Sequence, residues 1–185
     1  ITASNSSVDL STSSALGSGT LYASFLVNVT DLGSLSTTNS EEFFALAGTR
    51  WEGNMRLDSG DSSKYNIGWG WRSDGGQVYS GALDTDTTYL VVVNNNFDTN
   101  DYSIWVNPTI GGAEPAATAT GNNDTNNAWD RFAFYSVFDG DTSGTGSGAY
   151  QYDELRIGTT WADVTPVPEP STYAALAGLA ALGLA

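Results

Sequence analysis

Apolar and polar residues alternate along much of this chain. Over residues 21–29, Leu21, Ala23, Phe25, Val27 and Val29 fall on one side, the period-two pattern of a strand with one buried face. Residues 65–71 repeat it, with Tyr65, Ile67, Trp69 and Trp71 on one face and Gly68 and Gly70 on the other. Residues 89–97 and 102–107 flank the turn 98–101 and predict a hairpin. Shorter strands are expected over 43–49, 51–57, 131–138 and 150–158. Residues 1–19 are weakly patterned. Residues 108–128 read as a loop and 139–148 as a Gly-rich turn region. No stretch before residue 165 has sustained helical periodicity. Many strands separated by turn signals predict an all-β, antiparallel two-sheet β-sandwich. Phe25, Val27, Phe132, Phe134, Leu155 and Ile157 are its expected core.

The pattern breaks at the end of the chain. Residues 167–185 read VPEPSTYAALAGLAALGLA, a Pro-Glu-Pro hinge followed by Ala, Leu and Gly. The prolines at 166, 168 and 170 favour a stiff, extended linker. Ala and Leu favour helix from 173 onward, with Ser171 or Thr172 as its cap. This tail resembles the sorting signal of PEP-CTERM proteins. The resemblance implies an exported protein of a Gram-negative bacterium, held in the inner membrane by its C-terminal helix. It further implies processing by exosortase near Pro168, Glu169 and Pro170, then delivery to the cell envelope or extracellular matrix. The apolar run from Ala174 is shorter than the roughly 20 residues that span a bilayer, and no basic cluster follows it. The chain also starts at Ile1 without a leader. The expectation is therefore a sequence cut short at both ends: a sandwich domain over 1–165, a linker over 166–172 and the start of an anchor helix over 173–185.

Composition narrows the function classes. Lys and Arg total 6 against 21 Asp and Glu, giving net charge −15. Nucleic-acid binding, which needs a basic face, is disfavoured. With no Cys and no His, disulfides, thiol catalysis, Ser-His triads and the usual zinc ligands are excluded.

The segments SGTLYASFLVNV, TTYLVVVNNNF with DYSIWVNP, and the closing YQYDELRIGTTWADVTP resemble the laminin-G-like, concanavalin-type jelly roll. That family shares its fold with laminarinase-like glycoside hydrolases, whose Glu-x-Asp-x-x-Glu type motif has no counterpart here. Glu41 and Glu42 are adjacent, as are Asp153 and Glu154, so each pair would point to opposite faces of a strand. The expectation is a non-catalytic surface or matrix protein. Its rivals are a dedicated carbohydrate-binding module and a laminarinase-like hydrolase. For sugar binding, Tyr65, Trp69, Trp71 and Trp105 offer ring faces, although the same residues suit a core. Calcium, through oxygen ligands, is the cofactor the residue inventory supports. Asp153 shares a face with Leu155 and Ile157 and should point inward, where a carboxylate needs a partner. Asp139 and Asp141 form an Asp-x-Asp in a Gly-rich loop. The concanavalin-type resemblance adds Asp9, since calcium in such sandwiches often lies between the last strand and the start of the chain.

Overall fold

The computed structural model describes residues 8–33, 35–37, 41–47, 51–71, 77–122, 129–138 and 148–166. Its strands are β1 (Val8–Leu16), β2 (Thr20–Asp31), β3 (Glu41–Ala47), β4 (Trp51–Leu57), β5 (Lys64–Trp71), β6 (Val78–Tyr79), β7 (Leu83–Asp84), β8 (Thr88–Asn96), β9 (Asp101–Val106), β10 (Ala119–Asn122), β11 (Trp129–Phe138) and β12 (Ala149–Gly158). One short helix, α1 (Trp161–Val164), follows. All strand pairs are antiparallel. A seven-stranded sheet runs β1-β11-β3-β4-β5-β6, with β7 also on β5, and a five-stranded sheet runs β10-β9-β8-β2-β12.

The alternation in sequence sets which side chains lie between the sheets. Leu21, Ala23, Phe25, Val27 and Val29 of β2 are buried there, joined by Val91 and Val93 of β8 and by Tyr102 and Ile104 of β9. The opposing sheet contributes Phe44, Met55, Tyr65, Ile67, Trp69, Phe132 and Phe134. Phe25 is the hub. Its ring centroid lies 4.9 Å from that of Phe44 and 5.3 Å from that of Phe134, both edge-on. Such contacts add to the area buried. Phe44 in turn stacks on Trp69, at 5.2 Å and 11°. Gly53 makes room for that stack, because a Cβ there would fall inside the Phe44 ring. The Trp69 indole N–H crosses to the other sheet and donates to the Asn94 carbonyl at 2.9 Å.

The two-sheet sandwich agrees with expectation, as does burial of Phe25, Val27, Phe132 and Phe134. Two residues depart from it: Leu155 is half-buried and Ile157 is 39% exposed. Both still lie on the inner face, since Leu155 packs against the core and Ile157 pairs with the buried Ala23, but β12 is the edge strand of its sheet and these residues stand near its end. The same strand carries a β-bulge. Between Asp153↔Leu26 and Arg156↔Ser24, β12 advances three residues while β2 advances two. The extra residue shifts the alternation, and Glu154 takes the left-handed φ of 55° that the bulge requires. The weakly patterned start contains β1, an edge strand paired with β11. The 108–128 loop contains β10, an edge of the other sheet. Among the described residues no helix is long and apolar enough to cross a membrane. The expected tail helix, and all of the expected linker except Pro166, lie outside the described residues.

Tyr65 carries a testable oddity. It is fully buried, burial pushes its phenol pKa upward, and its hydroxyl has no hydrogen-bond partner. An unpaired buried hydroxyl costs free energy, whereas an apolar replacement of the same shape does not. Tyr65→Phe should therefore stabilise the sandwich by about 0.5–1 kcal/mol, measured by urea unfolding. A clear loss of stability would show the hydroxyl to be bonded after all.

Candidate functional site

The outer face of the five-stranded sheet divides into a covered half and an open half. The covered half is a second apolar cluster of Tyr22, Val92, Trp105, Trp161 and Val164. Its lid is α1, which a capping box starts. The Asp163 amide donates to Thr160 Oγ1, and the Asp163 carboxylate accepts from the Thr160 and Thr159 amides at 2.9 and 3.1 Å. The Thr160 side chain, then these amides, hold the Asp163 carboxyl below the usual carboxylate range. The helix buries Trp161 and Val164. Trp161 lies 5.1 Å from Trp105 and meets Tyr22 edge-on at 6.3 Å. Ser24 Oγ donates to the Val164 carbonyl at 2.7 Å.

The loop after β9 closes the other side of the cluster. The Trp105 indole donates to the Pro115 carbonyl, and the Tyr22 hydroxyl donates to Glu114 Oε2 at 2.7 Å. Burial, and then Glu114, push the Tyr22 phenol up to about 12.

Beyond the lid the same face is open and forms a cleft of about 440 Å³. The residues that alternate with the β2 core positions point into it, and strand register supplies their neighbours. Asn28 pairs with Gln151 of β12 on one side and Thr88 of β8 on the other, while Leu26 pairs with Asp153. An apolar floor at Leu26 is thus ringed by two amides, a hydroxyl and a carboxylate. The Asn28 amide is poorly satisfied within the protein. Its nitrogen reaches Thr88 Oγ1 at 3.4 Å, and its buried oxygen has no partner. A second pocket of about 240 Å³ continues from Leu26 toward α1, with Leu90, Ile110, Val164 and Pro166 as its apolar walls. Glu154 and Arg156 stand at its rim, paired at 2.8 Å. The bulge in β12 therefore lies where cleft and pocket meet.

The residues expected to stack on sugar rings are placed differently. Tyr65 and Trp69 are fully buried in the core, and Trp105 is 2% exposed beneath the lid. Their ring faces contact protein, so none of the three is a platform. The Trp71 side chain lies outside the described residues. The Tyr79 ring lies over Gly68, and the Arg56 guanidinium lies 3.6 Å from that ring's centroid.

The calcium candidates fare similarly. Asp153 points outward instead of inward, because the bulge breaks the alternation that would put it on one face with Leu155 and Ile157. It is exposed, and its Oδ1 accepts from the Glu154 amide at 2.8 Å. The Asp9 side chain, Asp139 and Asp141 lie outside the described residues, as do Pro168, Glu169 and Pro170. Among the described residues no group of three or more acids is placed to hold a metal.

No family model matches this sequence, and no curated protein matches it. Solved structures do. The chain is a jelly-roll β-sandwich. It is similar to the catalytic domain of the glycoside hydrolase family 131 protein from Coprinopsis cinerea, with TM-score 0.51, 13% identity, and coverage of 86% of this chain and 64% of that one. It is similar to the marine PL7 alginate lyase of Zobellia galactanivorans, with TM-score 0.54, 11% identity, and coverage of 82% and 64%. A third likeness is to botulinum neurotoxin type C, whose cell entry depends on interaction with two ganglioside molecules; the TM-score is 0.56 at 11% identity, with coverage of 96% and 42%. This chain therefore spans less than two thirds of each of these proteins. At such identities the likeness is one of fold.

Proposed function

We propose that this protein is a non-catalytic, exported surface or matrix component that grips a polysaccharide in the cleft of its five-stranded sheet. The observation that carries the reading is the cleft's lining: Asn28, Thr88, Gln151 and Asp153 around Leu26. Amides, hydroxyls and carboxylates exchange hydrogen bonds with sugar hydroxyls, and an apolar floor suits the C–H face of a ring. The named activities of two similar folds, a glycoside hydrolase and an alginate lyase, and the ganglioside dependence of the third, lend the reading fold-level support. Binding without catalysis is favoured by the arrangement of acids. Glycoside hydrolysis ordinarily takes two carboxylates flanking the bond, about 5–9.5 Å apart. Here Asp153 lines the cleft while its neighbour Glu154 is held by Arg156 at the pocket rim.

The Pro168–Pro170 hinge and apolar tail supply the address in this reading, through exosortase and the inner membrane. Deleting the tail, or replacing Glu169, in a host with exosortase should change retention or cleavage; unaltered processing would remove the sorting role. The binding role is tested on a glycan array. Neutral oligosaccharides should be retained without release of reducing ends, and Gln151→Ala combined with Asn28→Ala should weaken retention about tenfold or more, two lost hydrogen bonds at about 1 kcal/mol each. Wild-type retention by the double variant would overturn the cleft as the site.

A further inference from the structure

The contiguity of cleft and pocket says more about the ligand than either does alone. The cleft is ringed by polar side chains, those of Asn28, Thr88, Gln151 and Asp153. The adjoining pocket is apolar on its floor and walls, at Leu26, Leu90, Ile110, Val164 and Pro166. The two polar groups deep in that pocket are already engaged: Ser24 Oγ donates to the Val164 carbonyl at 2.7 Å, and Thr165 Oγ1 donates to the Trp161 carbonyl at 2.8 Å. Both hydroxyls are almost fully buried, Ser24 at 1% and Thr165 at 3% exposure, so they offer a ligand hydroxyl little in exchange for the water it would lose among these apolar walls, which is unfavourable. A methyl group would lose nothing. At the mouth the Arg156 guanidinium is 43% exposed and makes one described contact, with Glu154. With five N–H donors it has several to spare for a carbonyl oxygen.

We infer that the groove takes a neutral polysaccharide bearing acetyl substituents, the sugar ring over Leu26 in the cleft and the acetyl methyl in the pocket beneath Ile110. This rests on the polysaccharide-binding reading and adds the substituent that the second pocket selects. Neutrality follows from charge. The chain carries net charge −15, Asp153 and Glu154 stand beside the groove, and a polyuronate would be repelled from both. Arg156 does not reverse this, because Glu154 already neutralises it. Selectivity for the acetyl group follows from the pocket: one small apolar group in a fitting hydrophobic site changes affinity by about 10- to 200-fold.

Two oligosaccharides with the same β-1,4 backbone separate the claims. Chitohexaose carries an acetamido group where cellohexaose carries a hydroxyl. Titration calorimetry with the protein should give at least tenfold tighter binding to chitohexaose, and no binding to an oligomannuronate. Gln151→Ala should weaken both neutral ligands. Ile110→Ser, at an exposed loop position, should bring the ratio of the two affinities toward one. Equal affinities in the wild-type protein, or an unchanged ratio in I110S, would overturn the acetyl assignment while leaving polysaccharide binding in place. Tighter binding of the oligomannuronate would overturn the neutral class. Binding of no oligosaccharide by a folded protein would overturn both readings together.

Discussion

Phe25→Ala is expected to cost about 3–5 kcal/mol, the range for truncating a fully buried aromatic ring. Phe25 has no exposed surface, and its ring bridges both sheets through Phe44 and Phe134. The packing around it is constrained on each side. Phe44 is wedged between Phe25 and the Trp69 stack with Gly53 behind it, so it cannot swing in to fill the hole. The residual cavity should therefore be large, which places the cost at the upper end of the range. A loss of this size is a substantial part of the about 5–15 kcal/mol that holds a domain together. The melting temperature should fall by roughly 6–20 °C, at about 2–4 °C per kcal/mol for this chain length. Differential scanning calorimetry checks it. A drop of only a degree or two would mean the sheets can collapse over the gap, contrary to the packing described.

The second large effect belongs to the lid. Trp161→Ala should cost about 3 kcal/mol or more by the same reasoning. Its indole is 6% exposed and lies against both Trp105 and Tyr22. Here the damage should be local, because α1 is a single turn held by its cap and by this cluster. Amide exchange should accelerate over 159–165, while the inner β2 and β8 amides keep their protection. Trp161→Phe is the informative control. The indole N–H is buried without a hydrogen-bond partner, so phenylalanine removes an unsatisfied donor and retains a ring. W161F should stay much closer to wild type than W161A. Equal losses in both would mean that the indole N–H is bonded.

Much of the sandwich is legible in the sequence because a strand with one buried face must alternate. The runs in β2, β5, β8 and β9 are long enough for that pattern to stand out. The misses occur where the rule has little purchase. β10 is four residues long and α1 is one turn, so neither repeats its period often enough to stand out. β1 is an edge strand whose Ser/Thr-rich sequence carries few apolar positions. The β12 bulge inverts the pattern partway along a strand, and nothing in YDELRIG marks the extra residue. That single insertion sets Asp153 on the outer face while Leu155 and Ile157 stay on the inner one.

The candidate site was hidden for a different reason. Ser24, Leu26 and Asn28 are simply the other side of a correctly read strand, and only cross-strand register brings Thr88, Gln151 and Asp153 beside them. Aromatic ring faces suit sugar binding by their chemistry, yet size and apolar area take Tyr65, Trp69 and Trp105 into packed clusters.

The way the chain leaves the sandwich has a mechanical consequence. Pro166 is the last described residue, directly after the segment whose Trp161 and Val164 are buried and whose Val164 carbonyl is tied to Ser24. Any tension on the residues that follow must enter through this one-turn latch. Until the Trp161 cluster gives way, the load bypasses the sheet edge. Once it does, the pull reaches Gly158, the end of edge strand β12, and opens its pairing with β2 one residue pair at a time beginning at Tyr22. The first event under force should thus be a small, reversible step of a few residues, separate from rupture of the sandwich, and it would protect a tethered domain from brief shear.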